Sequence, residues 1–119
     1  MAVGAVPVHA GDVNPAGELD MDIDGYAEWA QGALPAGTRD DLAVLALSLV
    51  GDAAEVGEAI KRNLRGEPLD RGRLTHELGD VLFYWACLCR QAGVKPSTVL
   101  EQSRRVIGER LAKRAGAKP

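Results

Sequence analysis

The segment Leu42-Ala-Val44-Leu45-Ala-Leu47-Ser-Leu49-Val50-Gly51-Asp52-Ala53-Ala54-Glu55-Val56-Gly57-Glu58-Ala-Ile60-Lys61-Arg62-Asn-Leu64 decides the fold class of this chain. Its apolar residues Leu42, Leu45, Leu49, Ala53, Val56, Ile60 and Leu64 recur at steps of three and four. That spacing makes one stripe along a helix, where a strand would need strict alternation. Asp52, Glu55, Glu58 and Arg62 occupy the neighbouring sector. Thr38-Arg-Asp-Asp41 reads as a capping box, with Asp in the Glu position, that opens this helix. Gly66, followed by Pro68, closes it.

Three further helices follow from the same periodicity. The first spans roughly 24–34 and stops at Pro35-Ala-Gly37. Another runs from about 72 to 92, with Leu78, Leu82, Trp85 and Cys89 as its expected core face and Gly93 as its stop. The last begins at Pro96-Ser97 and keeps its spacing to near Lys113. No alternating strand pattern interrupts them, so the expectation is an all-α bundle of four to five helices. Residues 1–20, rich in Ala, Gly, Val and Pro and without a basic leader, read as a flexible tail, and residues 21–115 as a single helical domain.

Composition narrows the function. A chain of 119 residues is one domain with a modest core. Its net charge of −3 and pI near 5.3 lack the basic footprint of a duplex-binding protein, so no nucleic acid duplex is expected. No apolar run approaches the roughly 18 residues that span a membrane, and no membrane partner is expected. Cys87 and Cys89 lie two apart on one helix and point in different directions, so they do not bridge each other. A reducing cytoplasm is the expected location. Val44, Leu47 and Val50 lie off the main stripe of the long helix and predict a second copy of the chain as their cover.

The chemistry is carried by Glu55-Val-Gly-Glu58 and Glu77-Leu-Gly-Asp80. Each pair is three apart and so leaves one helix face. Acidic pairs at this spacing are common on solvated faces. The second pair, however, runs straight into Val81-Leu82-Phe83-Tyr84-Trp85-Ala86-Cys87-Leu88, the most apolar stretch of the chain. Charges seldom border such a stretch without partners or metal. Antiparallel pairing of the two helices, allowed by the short link around Gly66–Arg71, would bring four carboxylates together. Such a cluster calls for a hard divalent cation, Mg²⁺ above all, with Mn²⁺ a second choice. Gly51, Ala54, Gly57 and Gly79 leave little bulk beside the acids and predict close approach of a helix or a ligand. Tyr84, one turn beyond Asp80, is expected beside the cluster, free to stack on a base, with Trp85 in the core.

The order of motifs resembles the MazG-like nucleotide pyrophosphohydrolases of the all-α NTP pyrophosphatase superfamily. The family's Gly-Leu-Ala-Gly-Glu-Ala-Gly-Glu-Val-x-Glu-x-Ile-Lys is paralleled by Leu49-Val-Gly51-Asp52-Ala-Ala-Glu55-Val-Gly-Glu58-Ala-Ile60-Lys61. After 18 residues, Glu77-Leu-Gly-Asp80-Val-Leu-Phe-Tyr84 matches the family's Glu-Leu-Gly-Asp-Val-Leu-x-Tyr. Tyr26-Ala-Glu-Trp29-Ala-Gln31 is similar to the family's opening helix. The resemblance implies hydrolysis of a nucleoside triphosphate to monophosphate and pyrophosphate, in the manner of nucleotide-pool housekeeping. It implies Glu55, Glu58, Glu77 and Asp80 as Mg²⁺ ligands and assembly into a homodimer or homotetramer. Glu55 or Glu58 would also serve as general base, and the choice between them stays open. Lys61, Arg62, Tyr84 and Arg110 would contact the substrate.

Two departures stand out. Asp52 occupies a position where the family usually has Glu, and Ser103-Arg-Arg-Val106-Ile107-Gly-Glu-Arg110 replaces Asn-x-x-Lys-Leu-x-x-Arg, keeping only the apolar residue and Arg110. A catalytically degenerate helical module that binds nucleotide or a protein partner is therefore the alternative. A di-iron carboxylate bundle would need Glu-x-x-His pairs, which the placement of His76 and His9 does not supply.

Overall fold

The computed structural model describes residues 21–116, so the expected tail at 1–20 lies outside the described residues. Five helices follow in order: α1 Ile23–Ala33, α2 Ala36–Arg39, α3 Leu42–Leu64, α4 Arg71–Gln91 and α5 Pro96–Gly116. There is no strand among the described residues. The protein is all-α, as the periodicity predicts.

Each boundary has a local cause. Asp22, Asp41 and Asp70 cap α1, α3 and α4 by accepting backbone N–H bonds from Gly25, from Ala43 and Val44, and from Arg73. The cap of α3 is thus Asp41 and not Thr38. Residues 36–39 instead make the single separate turn α2, because Pro35 presets its start. At the other end of α3, Gly66 takes φ +100°. Its N–H donates to the Asn63 carbonyl, and that of Glu67 to the Arg62 carbonyl. Gly93 ends α4 the same way, with φ 74° and a 2.8 Å bond from the Val94 N–H to the Cys89 carbonyl. Both are Schellman closures that need a left-handed residue.

The hub is α4. On one side α3 returns antiparallel to it: Gln91, at the end of α4, donates to the Asp40 carbonyl just before α3, while Arg73, at the start of α4, reaches Glu55. On another side lies α1, whose buried Ala27, Ala30 and Ala33 let the helix backbones approach Phe83, Ala86 and Cys87. Trp29 meets Phe83 edge to face at 6.1 Å, and Phe83 meets Tyr84 at 5.2 Å and 90°, within the favourable range for aromatic pairs. The last helix, α5, is tied down at its start. Pro96 is buried and the Ser97 N–H donates to Asp24 Oδ1 at 2.9 Å. Most of its later residues are exposed.

Packing on two sides changes which face of α4 is buried. Phe83, Tyr84, Ala86, Cys87 and Cys89 are buried, whereas Leu78 and Leu82 are 50% and 40% exposed and Trp85 is half-buried. The expected core face Leu78–Leu82–Trp85–Cys89 is therefore corrected at Leu78 and Leu82, while Cys89 is buried and Trp85 packs half-buried against the core. The long stripe of α3 contracts similarly. Leu45 is buried and Leu49 and Val56 half-buried, but Leu42, Ala53, Ile60 and Leu64 face outward because no other helix among the described residues lies over them. Both cysteines are free, and burial pushes the Cys87 thiol up to about 11, so it is inert at neutral pH. No helix among the described residues is long and apolar enough to cross a membrane.

Candidate functional site

Ser48, Asp52 and Glu55 lie at i, i+4 and i+7 on α3 and so share one face. Glu77 and Asp80 share a face of α4 at i and i+3. The antiparallel pairing turns these faces toward each other across a groove of ≈ 420 Å³, lined by Ser48, Gly51, Asp52, Glu55, His76, Glu77 and Asp80. Ligand clefts begin at about 300 Å³, so this groove can accept a phosphate chain. Glu77 is the most enclosed acid of its ion pairs, its side chain 12% exposed against 36% for Asp80 and 54% for Glu55.

The groove includes three of the four expected metal ligands. Glu58 is not among its lining residues, whereas Asp52, one turn before Glu55, is. Asp52 is the acid that the motif spacing underrated; its own spacing to Ser48 and Glu55 was the available signal. Lys61 and Arg62 are exposed on the last turn of α3, and Arg110 lines a separate groove on α5 with Val99, Gln102, Ser103, Val106 and Ile107. None of these three lines the acidic groove.

Tyr84 is the clearest correction. Expected beside the acids with its ring free, it is 2% exposed and belongs to the core with Phe83 and Leu45. A ring covered on both faces cannot stack on a base. Its hydroxyl is nonetheless buried without a hydrogen-bond partner among the described residues, and burial, then the charge of Asp52, raises its pKa. The ring is core while the hydroxyl lies within the field of the groove. The helix half of the glycine expectation is also corrected, because a Cβ added at Gly51, Gly57 or Gly79 would meet nothing within 4 Å. No helix among the described residues approaches them closely.

Among the described residues, no three His, Cys, Asp or Glu side chains stand close enough to hold one ion as they are placed. Glu55 and Glu77 are instead partly neutralised by a cation of the chain, Arg73, at 3.7 Å and 3.6 Å. His76 Nε2 lies 3.4 Å from Asp80. Asp52 has no ion-pair partner among the described residues. Burial, followed by the negative charges of Asp80, Glu77 and Glu55, raises its carboxyl above the usual range. The all-oxygen donor set still fits a hard divalent ion. The raised Asp52 carboxyl reflects its burial first and the neighbouring carboxylates second.

That raised value has a stability consequence. A carboxyl whose folded pKa exceeds its unfolded one stabilises the fold when protonated, and the benefit is lost as pH rises through the folded pKa. At pH 7, Asp52→Asn should therefore raise the melting temperature of the metal-free protein. The gain should vanish below the ordinary Asp pKa of about 4, where wild type is also neutral. Thermal unfolding with a chelator at the two pH values checks this; equal or lower melting of the variant at pH 7 would remove the electrostatic account.

The fold and groove define the class: an all-α domain that presents clustered carboxylates between two antiparallel helices. Residues 41–115 match the family model of the MazG nucleotide pyrophosphohydrolase domain. That is well over half of the chain, and the chain belongs to this family. The match covers α3, α4 and nearly all of α5, hence both acidic motifs. Membership brings the general activity of a hydrolase acting on nucleotide pyrophosphate bonds. Searches of curated proteins and of solved structures gave no match.

Proposed function

We propose that this chain is a Mg²⁺-dependent nucleoside triphosphate pyrophosphohydrolase that releases a nucleoside monophosphate and pyrophosphate. The observation that carries the reading is the convergence of Asp52, Glu55, Glu77 and Asp80 on one groove. A triphosphate brings about four negative charges, which an acidic groove accepts only with cations between them. Glu55, Glu77 and Asp80 would hold the ion, with Glu58 joining by a change of rotamer and Asp52 directly or through water. Mn²⁺ suits the same donors. The bound ion supplies Lewis-acid polarisation of a phosphoryl oxygen and neutralises charge on the leaving group. Water attacks the α-phosphorus, its proton passes to a carboxylate, and the bond from that phosphorus to the α,β-bridging oxygen breaks. Of the two general-base candidates, Glu55 faces the groove and Glu58 does not line it. Lys61 and Arg62, exposed on the last turn of α3, are the cations proposed to meet phosphate oxygens.

A panel of NTPs and dNTPs, assayed with and without Mg²⁺ and with products separated, tests the assignment. Monophosphate and pyrophosphate should appear in equal amounts from at least one substrate. Orthophosphate as the product, or no turnover with any of them, would remove it. The second reading is a degenerate nucleotide-binding module. It is favoured because, among the described residues, no three acids stand close enough to share one ion as placed, and because Arg110 lines a different groove. Nucleotide binding without turnover would be its signature.

The chain is also proposed to act as a homodimer or homotetramer. Leu47 and Val50 on α3 are 71% and 65% exposed, and Leu78 and Leu82 on α4 lack cover. Apolar surface of this kind is normally buried by a partner. Sedimentation at micromolar concentration should give at least twice the monomer mass of 12.6 kDa. A monomer there would refute the assembly.

A further inference from the structure

Among the described residues, Arg73 alone forms ion pairs with acids of both α3 and α4. The cap of α4 fixes its backbone, since the Arg73 N–H donates to Asp70 Oδ1 at 3.0 Å. From the first turn its guanidinium extends to Glu55 on one helix and Glu77 on the other. Both N···O separations, 3.7 and 3.6 Å, exceed the roughly 2.7–3.2 Å of an N–H···O hydrogen bond. Charge holds the group there, without the directional bonds that would lock it. His76 pairs with Asp80 alone, on its own helix.

We propose that Arg73 is the resident counter-cation of the groove, and that its guanidinium competes with the divalent ion for Glu55 and Glu77 and so sets the metal affinity. The inference rests on the metal role given to those acids above. Mg²⁺ requires carboxylate oxygens at about 2.0–2.1 Å in near-octahedral order. The guanidinium faces one oxygen of each carboxylate, Glu55 Oε2 and Glu77 Oε1, and offsets charge that the ion would draw on, so occupancy by one weakens occupancy by the other. In the metal-free protein Arg73 offsets part of the repulsion among Asp52, Glu55, Glu77 and Asp80. On metal binding that attraction is given up, which lowers the net affinity.

Manganese titrations of wild type and variants test this, read by calorimetry or by the loss of the free Mn²⁺ resonance signal. Arg73→Gln should bind Mn²⁺ about three- to ten-fold more tightly, the range expected from breaking two partly exposed ion pairs. Its metal-free melting temperature should fall. Arg71→Gln removes the same charge two residues away and should stay within about twofold of wild type, as should Arg73→Lys, which keeps a cation on the groove. Arg73→Gln binding no more tightly than wild type overturns the proposal, as does Arg71→Gln with an equal gain, which would reduce the effect to net charge. Wild type and Arg73→Gln both failing to bind Mn²⁺ would overturn it too. Loss of pyrophosphate release, by contrast, bears on the enzymatic assignment and leaves the titration readable.

Discussion

Glu77→Gln should lower pyrophosphate release by roughly 100-fold or more while the metal-free fold persists. Among the acids with an ion-pair partner, Glu77 has the most enclosed side chain, so water cannot readily substitute for a lost oxygen. The amide keeps its size and removes the charge. The linked measurement is thermal. At a Mg²⁺ concentration 100 times its Kd, wild type should gain about 2.7 kcal/mol, which raises the melting temperature by roughly 10 °C in a chain of this size. Glu77→Gln, and likewise Glu55→Gln and Asp80→Asn, should lose most of that rise. Glu58→Gln is the informative contrast. A full loss there would mean that Glu58 turns into the groove on metal binding, whereas near-normal activity would leave Asp52 as the fourth acid. Equal Mg²⁺ stabilisation of wild type and all four variants would place the ion elsewhere.

Tyr84→Ala should unfold or nearly unfold the protein, at a cost of about 3–5 kcal/mol for removing a large ring from the core. Few buried side chains in this molecule are larger, and Tyr84 joins Phe83 to Leu45 in the cluster that α1 covers. Tyr84→Phe should behave oppositely. Its hydroxyl has no partner among the described residues, so deleting it removes an unpaired buried dipole and should stabilise the metal-free protein by up to about 1 kcal/mol. Denaturant unfolding of the two variants measures both effects. If Tyr84→Ala instead melts like wild type and raises KM strongly, the ring belongs to the nucleotide base and not to the core. A large drop in turnover for Tyr84→Phe at unchanged stability would give the hydroxyl a partner in the loaded groove.

Much of the candidate site is legible in the chain because its parts are local. Helix periodicity places Asp52 and Glu55 on one face of α3 and Glu77 and Asp80 on one face of α4. The six residues between these helices then force them to pair antiparallel. Only half of the role of Arg73 is legible in this way. Its i,i+4 spacing to Glu77 is local and sets it apart from Arg71, but only the crossing of α3 over the first turn of α4 brings Glu55 within its reach.

The sequence by itself determines the helices, their glycine closures, the acidic faces and, through the paired motifs, the family. These follow from backbone geometry and side-chain spacing within about one helical turn. Tertiary structure alone decided the rotation of α4 about its axis. Residues 81–88 are apolar all round, so periodicity cannot choose which of them point inward. The choice falls to the small face of α1, where Ala27, Ala30 and Ala33 accept Phe83 and Cys87. That rotation carries Tyr84 into the core and leaves Leu78 and Leu82 outside. The neighbouring face of α3 then brings Asp52 into the groove and leaves Glu58 out of its lining. Spacing fixes where residues lie relative to one another on a helix. Which way the helix turns is fixed by the volumes of its neighbours, and those come from distant parts of the chain.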